Sequence, residues 1–198
     1  MVLDTCVNAS LVYGCESWGN HLVPAIDSCF RQGLKTALSI RQSMNNEITY
    51  IESGRFPLSI RVRKQQLKFW LSLKELDPQH HISKFIALGQ SLNLPFLNHY
   101  TNLQTLYGNP RNCQNVLRNE FTAAIKEKIQ RESSTDPDSR LGAYYECNPV
   151  LEQPSSLPIF ELDRITVTRY RTGSHYLKIE IGRFAAPRIP RENRLCDC

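Results

Sequence analysis

The densest group of residues able to do chemistry is basic. Arg61, Arg63, Lys64 and Lys68 fall within eight residues, with Arg55 just upstream. Positions 61, 64 and 68 are spaced three and four apart, so a helix places them on one face. Such a face can run along a phosphate backbone, through contacts that carry no sequence information and weaken as salt rises. A plain solvated helix face has the same pattern, and both readings stand at this point. A second group comprises Arg169, Arg171, Ser174, His175, Lys178 and Arg183. Gly173 and Ser174 could offer backbone N–H groups to an anion at a helix start. Tyr170 and Tyr176 interleave with these charges as rings able to stack on unpaired bases.

The metal chemistry is incomplete. Cys196 and Cys198 form half of a tetrahedral thiolate site, and His175, 21 residues upstream, is a weak third ligand. Zinc is therefore expected only if ligands come from elsewhere, and no other cofactor is implied. A disulfide within so short a loop would be strained. The aspartates at 4, 27, 77, 136, 138, 163 and 197 are scattered, and none forms a pair after an apolar strand where a Mg²⁺ site would be built. Asp136 and Asp138 sit in a Pro/Ser-rich stretch with no rigid scaffold. No phosphate-binding glycine loop, H-E-x-x-H or G-x-S-x-G motif occurs. His80 and His81 read as a solvated helix start, and His21 and His99 carry no assigned role. No catalytic residue is assigned, and the chain is expected not to be an enzyme.

Positioning these groups falls mainly to helices. Apolar residues recur at helical spacing over 22–42 through Ile26, Phe30, Gly33, Leu34, Ala37 and Leu38, with Arg31, Lys35 and Arg41 outside the stripe. A short helix over 45–53 has Asn45 or Asn46 as cap and Gly54 as stop. Pro57 opens a helix over 58–76, which Asp77-Pro78 ends. A further helix over 80–92 should turn Ile82, Phe85, Ile86 and Leu92 inward. Residues 93–110 read as a loop with short turns, and 111–132 as a long amphipathic helix. Four prolines between 137 and 158 mark the best domain boundary, with a short helix possible at 139–146. Over 159–182 strand propensity competes with helical spacing; the helical reading ends near Thr172-Gly173 and restarts with Ser174 as cap. The fold expected is mainly α: a thumb-like helical bundle, a helical linker and a loose C-terminal tail.

Composition bounds the rest. The chain has 198 residues, 41% apolar and 22% charged, enough for one ordinary domain or two small ones. Net charge is +5, distributed as −1 over 1–60, +3 over 61–160 and +3 over 161–198, which permits a polyanionic partner without requiring one. No apolar run approaches the roughly 20 residues of a membrane span, so no membrane partner is expected. Seven unevenly spaced cysteines and an acidic start without a basic leader point to a reducing, intracellular compartment, nucleus or cytoplasm. The dense apolar start at 2–19 reads as the interior of a longer protein.

Segments LVYGCESWG at 11–19, the long helix after it, YIESGRFPLSIRVRKQQLKFWLSL at 50–73, and RTGSHYLKIEIGR at 171–183 with RLCDC at 194–198 resemble, in that order and over nearly the whole chain, the C-terminal region of non-LTR (LINE-type, jockey-like) retrotransposon reverse transcriptases. The resemblance implies a thumb-like segment at 1–76 whose basic face grips a template–primer duplex, a helical linker at 77–132, a connector at 133–160, and a basic segment at 161–198 that ends at the opening cysteines of a zinc knuckle. The family's catalytic aspartates, on an aromatic-Ala-Asp-Asp strand, have no match in this sequence. The expected function is weak, sequence-independent binding of an RNA–DNA duplex without catalysis. The alternative is a helical protein-interaction module, or a functionless remnant, that self-associates through apolar residues of 2–18 such as Leu3, Val7, Leu11, Val12 and Trp18.

Overall fold

A computed structural model describes residues 7–18, 22–135, 141, 142, 144, 161–174, 187, 189 and 193. Among the described residues the regular structure is helical, with no strand: α1 (Asn8–Val12), α2 (Cys15–Trp18), α3 (Val23–Ala37), α4 (Asn46–Ser53), α5 (Leu58–Lys74), α6 (His81–Ser91), α7 (Pro95–Tyr107), α8 (Pro110–Thr135) and α9 (Glu161–Arg171). The protein is mainly α. Its helices cluster into two compact units, one from residues 1–30 and 56–125, the other from 31–55 and 126–198. This division runs through α3 and α8, within the segments 1–76 and 77–132, and leaves 133–160 and 161–198 in the second unit.

The first unit is organised around α5, which packs on α1, α2, α6 and α7. Its N-terminus follows the extended Pro57, and the Asp27 carboxylate accepts from the Ser59 N–H at 2.9 Å, satisfying a donor that the helix itself leaves open. Ile60, Leu67 and Trp70 then enter a core with Ile86, Leu97, Tyr100, Leu103, Cys113 and Leu117. Trp70 stacks on Tyr100 at 5.5 Å between ring centres, and its indole N–H donates to Gln104 Oε1 at 3.0 Å. Gln66, fully buried in this apolar setting, is satisfied from both sides. Its Nε2 donates to the Cys15 carbonyl at 2.9 Å, and its Oε1 meets His99 Nε2 at 3.2 Å. The Tyr100 hydroxyl donates to the Glu16 carbonyl. These bonds tie α2 to α5 and α7.

Two expectations for this unit are corrected. Residues 93–110 are not a loop: Pro95 lies at the first position of α7, where its missing N–H costs nothing. Leu97, Tyr100 and Leu103, three apart, supply that helix's buried face. The turn before it is made by Asn93 at φ 58°, a conformation asparagine tolerates better than most residues. Helix α6, capped by His80 Nδ1 accepting from the Ile82 N–H, buries only Ile86 and Gly89. Ile82, Phe85 and Leu92, expected inward, are 41%, 56% and 63% exposed. The contact with α7 is made along a narrow edge, because Gly89 has no Cβ and Leu97 Cδ1 sits where one would be.

In the second unit, α3 ends at Ala37 rather than at 42. Ser39 takes φ 56°, and the N–H groups of Ile40 and Ser39 donate back to the carbonyls of Lys35 and Thr36, which closes the helix in a left-handed cap. Lys35, read as lying outside the apolar stripe, is 6% exposed. Its ammonium donates to the carbonyls of Gln42 and Met44, at 2.8 and 2.6 Å, and to Asn46 Oδ1 at 3.1 Å, so all three protons are used to fold the chain after α3 back onto it. Burial and the nearby Arg31 charge pull its pKa down. Helix α4 has the caps its sequence announces: Asn45 Oδ1 accepts from the Glu47 N–H at 2.9 Å, and Gly54 takes φ 61°. Lys128 of α8 pairs with Glu47 at 2.8 Å. Helix α9 stops as expected at Thr172-Gly173, with Gly173 at φ 64°. Leu141, Gly142 and Tyr144 are helical and buried.

Candidate nucleic-acid interface

The α5 turns that bury Ile60, Val62, Leu67 and Trp70 leave Arg61, Lys64 and Lys68 on the opposite side. Arg61 and Lys68 are exposed and Lys64 half-buried. The three line an open groove of about 440 Å³ together with Glu16, Gln65, Phe69 and Ser72. Seven residues of helix separate the first cation from the last, a rise of about 10 Å. The Lys64 ammonium donates to Gln114 Oε1 at 2.6 Å, which fixes its position without cancelling its charge. Among the described residues no carboxylate forms an ion pair with Arg61, Lys64 or Lys68. Among the described residues Glu16 is the one acidic side chain lining the groove. Phe69, 38% exposed, adds an apolar ring to this basic surface.

Arg63 does not share that face. One residue is about 100° of helix rotation, and two positions carry Arg63 away from Arg61 towards Tyr107, Cys113 and Glu120. Its guanidinium also helps lower the His99 pKa, for which burial is the larger cause. Arg61, Lys64 and Lys68 thus form the group that the sequence spacing anticipated, and Arg63 belongs to a different surface.

Of the second basic group, Arg169 and Arg171 make internal contacts in the second unit. Arg169 Nε donates to the Ser39 carbonyl at 2.9 Å. Arg171 Nε lies 3.3 Å from Glu52 Oε2. The same Glu52 oxygen accepts from the Tyr144 hydroxyl at 2.5 Å. Burial, then the Glu52 charge, push the Tyr144 pKa up. Ser174 is buried, and the N–H groups of Gly173 and Ser174 donate to the carbonyls of Tyr170 and Arg169. They close the C-terminus of α9 and are not presented to an anion. Tyr170 is 67% exposed, as a stacking ring would need to be. His175, Tyr176, Lys178, Arg183, Cys196 and Cys198 lie outside the described residues.

No group of three or more His, Cys, Asp or Glu side chains placed to hold a metal occurs among the described residues. Buried thiols there are poor nucleophiles: burial, followed by the Glu16 charge, pushes Cys15 up to about 12, and burial raises Cys113 as well. No described helix is long and apolar enough to cross a membrane. Sequence reasoning missed Phe69, Gln65, Ser72 and Glu16 as groove residues. Positions 65, 68, 69 and 72 carry the three- and four-residue spacing that could have revealed three of them; Glu16 arrives from α2 and left no local signal. The chain matches no protein-family model, and neither the curated proteins nor the solved structures give a match.

Proposed function

We propose that the chain is a non-catalytic nucleic-acid-binding element that holds the phosphate backbone of a duplex, an RNA–DNA hybrid in the first instance, in the α5 groove. The observation that carries this reading is the alignment of Arg61, Lys64 and Lys68 along one open groove, with no carboxylate among the described residues paired to them. The resemblance of residues 50–73 to a reverse-transcriptase thumb adds to it. Three contacts make a weak binder: at about 0.9 counterions released per phosphate contacted, the affinity should fall with salt at a log–log slope of roughly −2.7.

Binding of a labelled RNA–DNA duplex at several salt concentrations tests the reading. The double change Lys64→Ala and Lys68→Ala should weaken binding to all duplexes alike and reduce the slope by about 2. Absence of binding at low salt, or binding that ignores these two changes, would refute it. The competing interaction module would use apolar residues of 2–18. Val12 and Cys15 are buried, and Val7 and Leu11 are half-buried; Leu3 lies outside the described residues.

A further inference from the structure

We propose that two copies of the chain associate through the exposed apolar face of α6, as a two-fold dimer. Ile82, Phe85, Leu88 and Leu92 follow one another at spacings of three, three and four, and are 41%, 56%, 58% and 63% exposed. Phe96, just past the turn, is 50% exposed. The α6 apolar arc is therefore wider than its partner in the fold: Ile86 and Gly89 meet the core, and the flank beside them is left open. Isolated exposed leucines need no explanation, but five neighbouring large side chains that together present roughly 500 Å² do.

The chemistry of the face selects its occupant. Helix α6 carries Lys84 and no carboxylate. A polyanion has almost nothing to bind there. A membrane surface calls for a border of lysines and arginines that α6 lacks. An uncharged face rich in phenylalanine and leucine has the make-up of an interface core. A second copy supplies the same face, and a two-fold axis across α6 sets each apolar residue against another while running the two helix dipoles antiparallel. The area doubles to roughly 1,000 Å², the floor for a specific interface. The interaction does not depend on the α5 groove.

Sedimentation equilibrium on the whole chain tests this. A monomer–dimer equilibrium at micromolar concentrations is expected, little changed by salt that abolishes nucleic-acid binding. Phe85→Glu and Leu88→Glu should each weaken dimerisation by roughly tenfold or more, with unaltered circular dichroism. Leu162→Glu, on the exposed side of α9, should leave it intact. Hydrogen exchange of the unmodified chain gives a second readout that does not require the variants to fold: protection within 81–92 should rise with protein concentration. A monomer throughout the range, a dimer indifferent to both α6 changes, or concentration-dependent protection confined to other helices would overturn the proposal.

Discussion

Replacing Arg171 by methionine should destabilise the second unit rather than weaken nucleic-acid binding. The Glu52 side chain is wholly buried, whereas Arg171 retains 26% of its side-chain exposure. The carboxylate is held by the Arg171 charge at 3.3 Å and by the Tyr144 hydroxyl, and its other oxygen has no hydrogen-bond partner. Removing one member of a buried pair costs about 3–5 kcal/mol because the remaining charge is stranded. Partial exposure of Arg171 screens the interaction, which places the expected loss at the lower end, about 3 kcal/mol. Methionine keeps much of the aliphatic stem, so little of that loss comes from packing. The double variant Glu52→Met with Arg171→Met removes both charges. It should therefore be less destabilised than Arg171→Met alone, with a coupling of about 2 kcal/mol. Urea unfolding followed by circular dichroism on the four proteins supplies the cycle. A loss below about 0.5 kcal/mol for Arg171→Met, or strictly additive single changes, would refute the reasoning. Duplex binding on the same proteins separates the two roles for this arginine: a phosphate contact would lose affinity and salt slope, while the ion pair predicts neither.

Two further outcomes follow from the first unit. Tyr100 is pushed up to about 12 by burial, then by Cys15 and Glu16, and Cys15 likewise up to about 12. The folded state thus keeps these protons after the unfolded chain has released them; their stability contribution is complete below about pH 9 and is lost between there and about pH 12. Tyr100→Phe should cost about 1 kcal/mol near pH 8, for the hydrogen bond to the Glu16 carbonyl, and should show a smaller further loss near pH 11 than the parent; equal alkaline losses in urea titrations would contradict this. Gly89→Ala gains up to about 1 kcal/mol in helix propensity but drives a methyl group into Leu97, which is 2% exposed. Overpacking of about 1–3 kcal/mol should win, lowering the thermal midpoint; a raised midpoint would show that α6 and α7 do not meet there.

Local chemistry was the most legible part of the fold. Asn45, Gly54, Pro57 and the Thr172-Gly173 stop act within a few residues of themselves, and their caps and turns form where the sequence puts them. Helix α7 was hidden because Pro95 reads as a breaker until it is placed at a first turn. Lys35 was misplaced for a different reason. An ammonium inside a unit needs carbonyl acceptors, and those of Gln42 and Met44 become available only once the chain has already turned back.

The basic residues divide by the same rule. Arg61, Lys64 and Lys68 were legible as a face because helical spacing alone sets their common direction. Whether a charge on such a face stays free depends on what the other elements bring to it, and that is written elsewhere in the chain. Arg169 and Arg171 have the composition of a phosphate site, yet their acceptors sit on Ser39 and Glu52, far upstream in sequence. Burial of Glu52 inside α4 makes its cation obligatory, since an unpaired carboxylate there would cost several kcal/mol (~3 or more). The α5 cations face no such demand: Lys64 is met by a neutral amide, and among the described residues the groove holds a single acidic side chain. The difference between a structural arginine and a phosphate-binding one therefore lies in the carboxylate opposite it. Under the proposed function, the α5 cations rather than Arg169 and Arg171 would therefore be the ones to meet a polyanion.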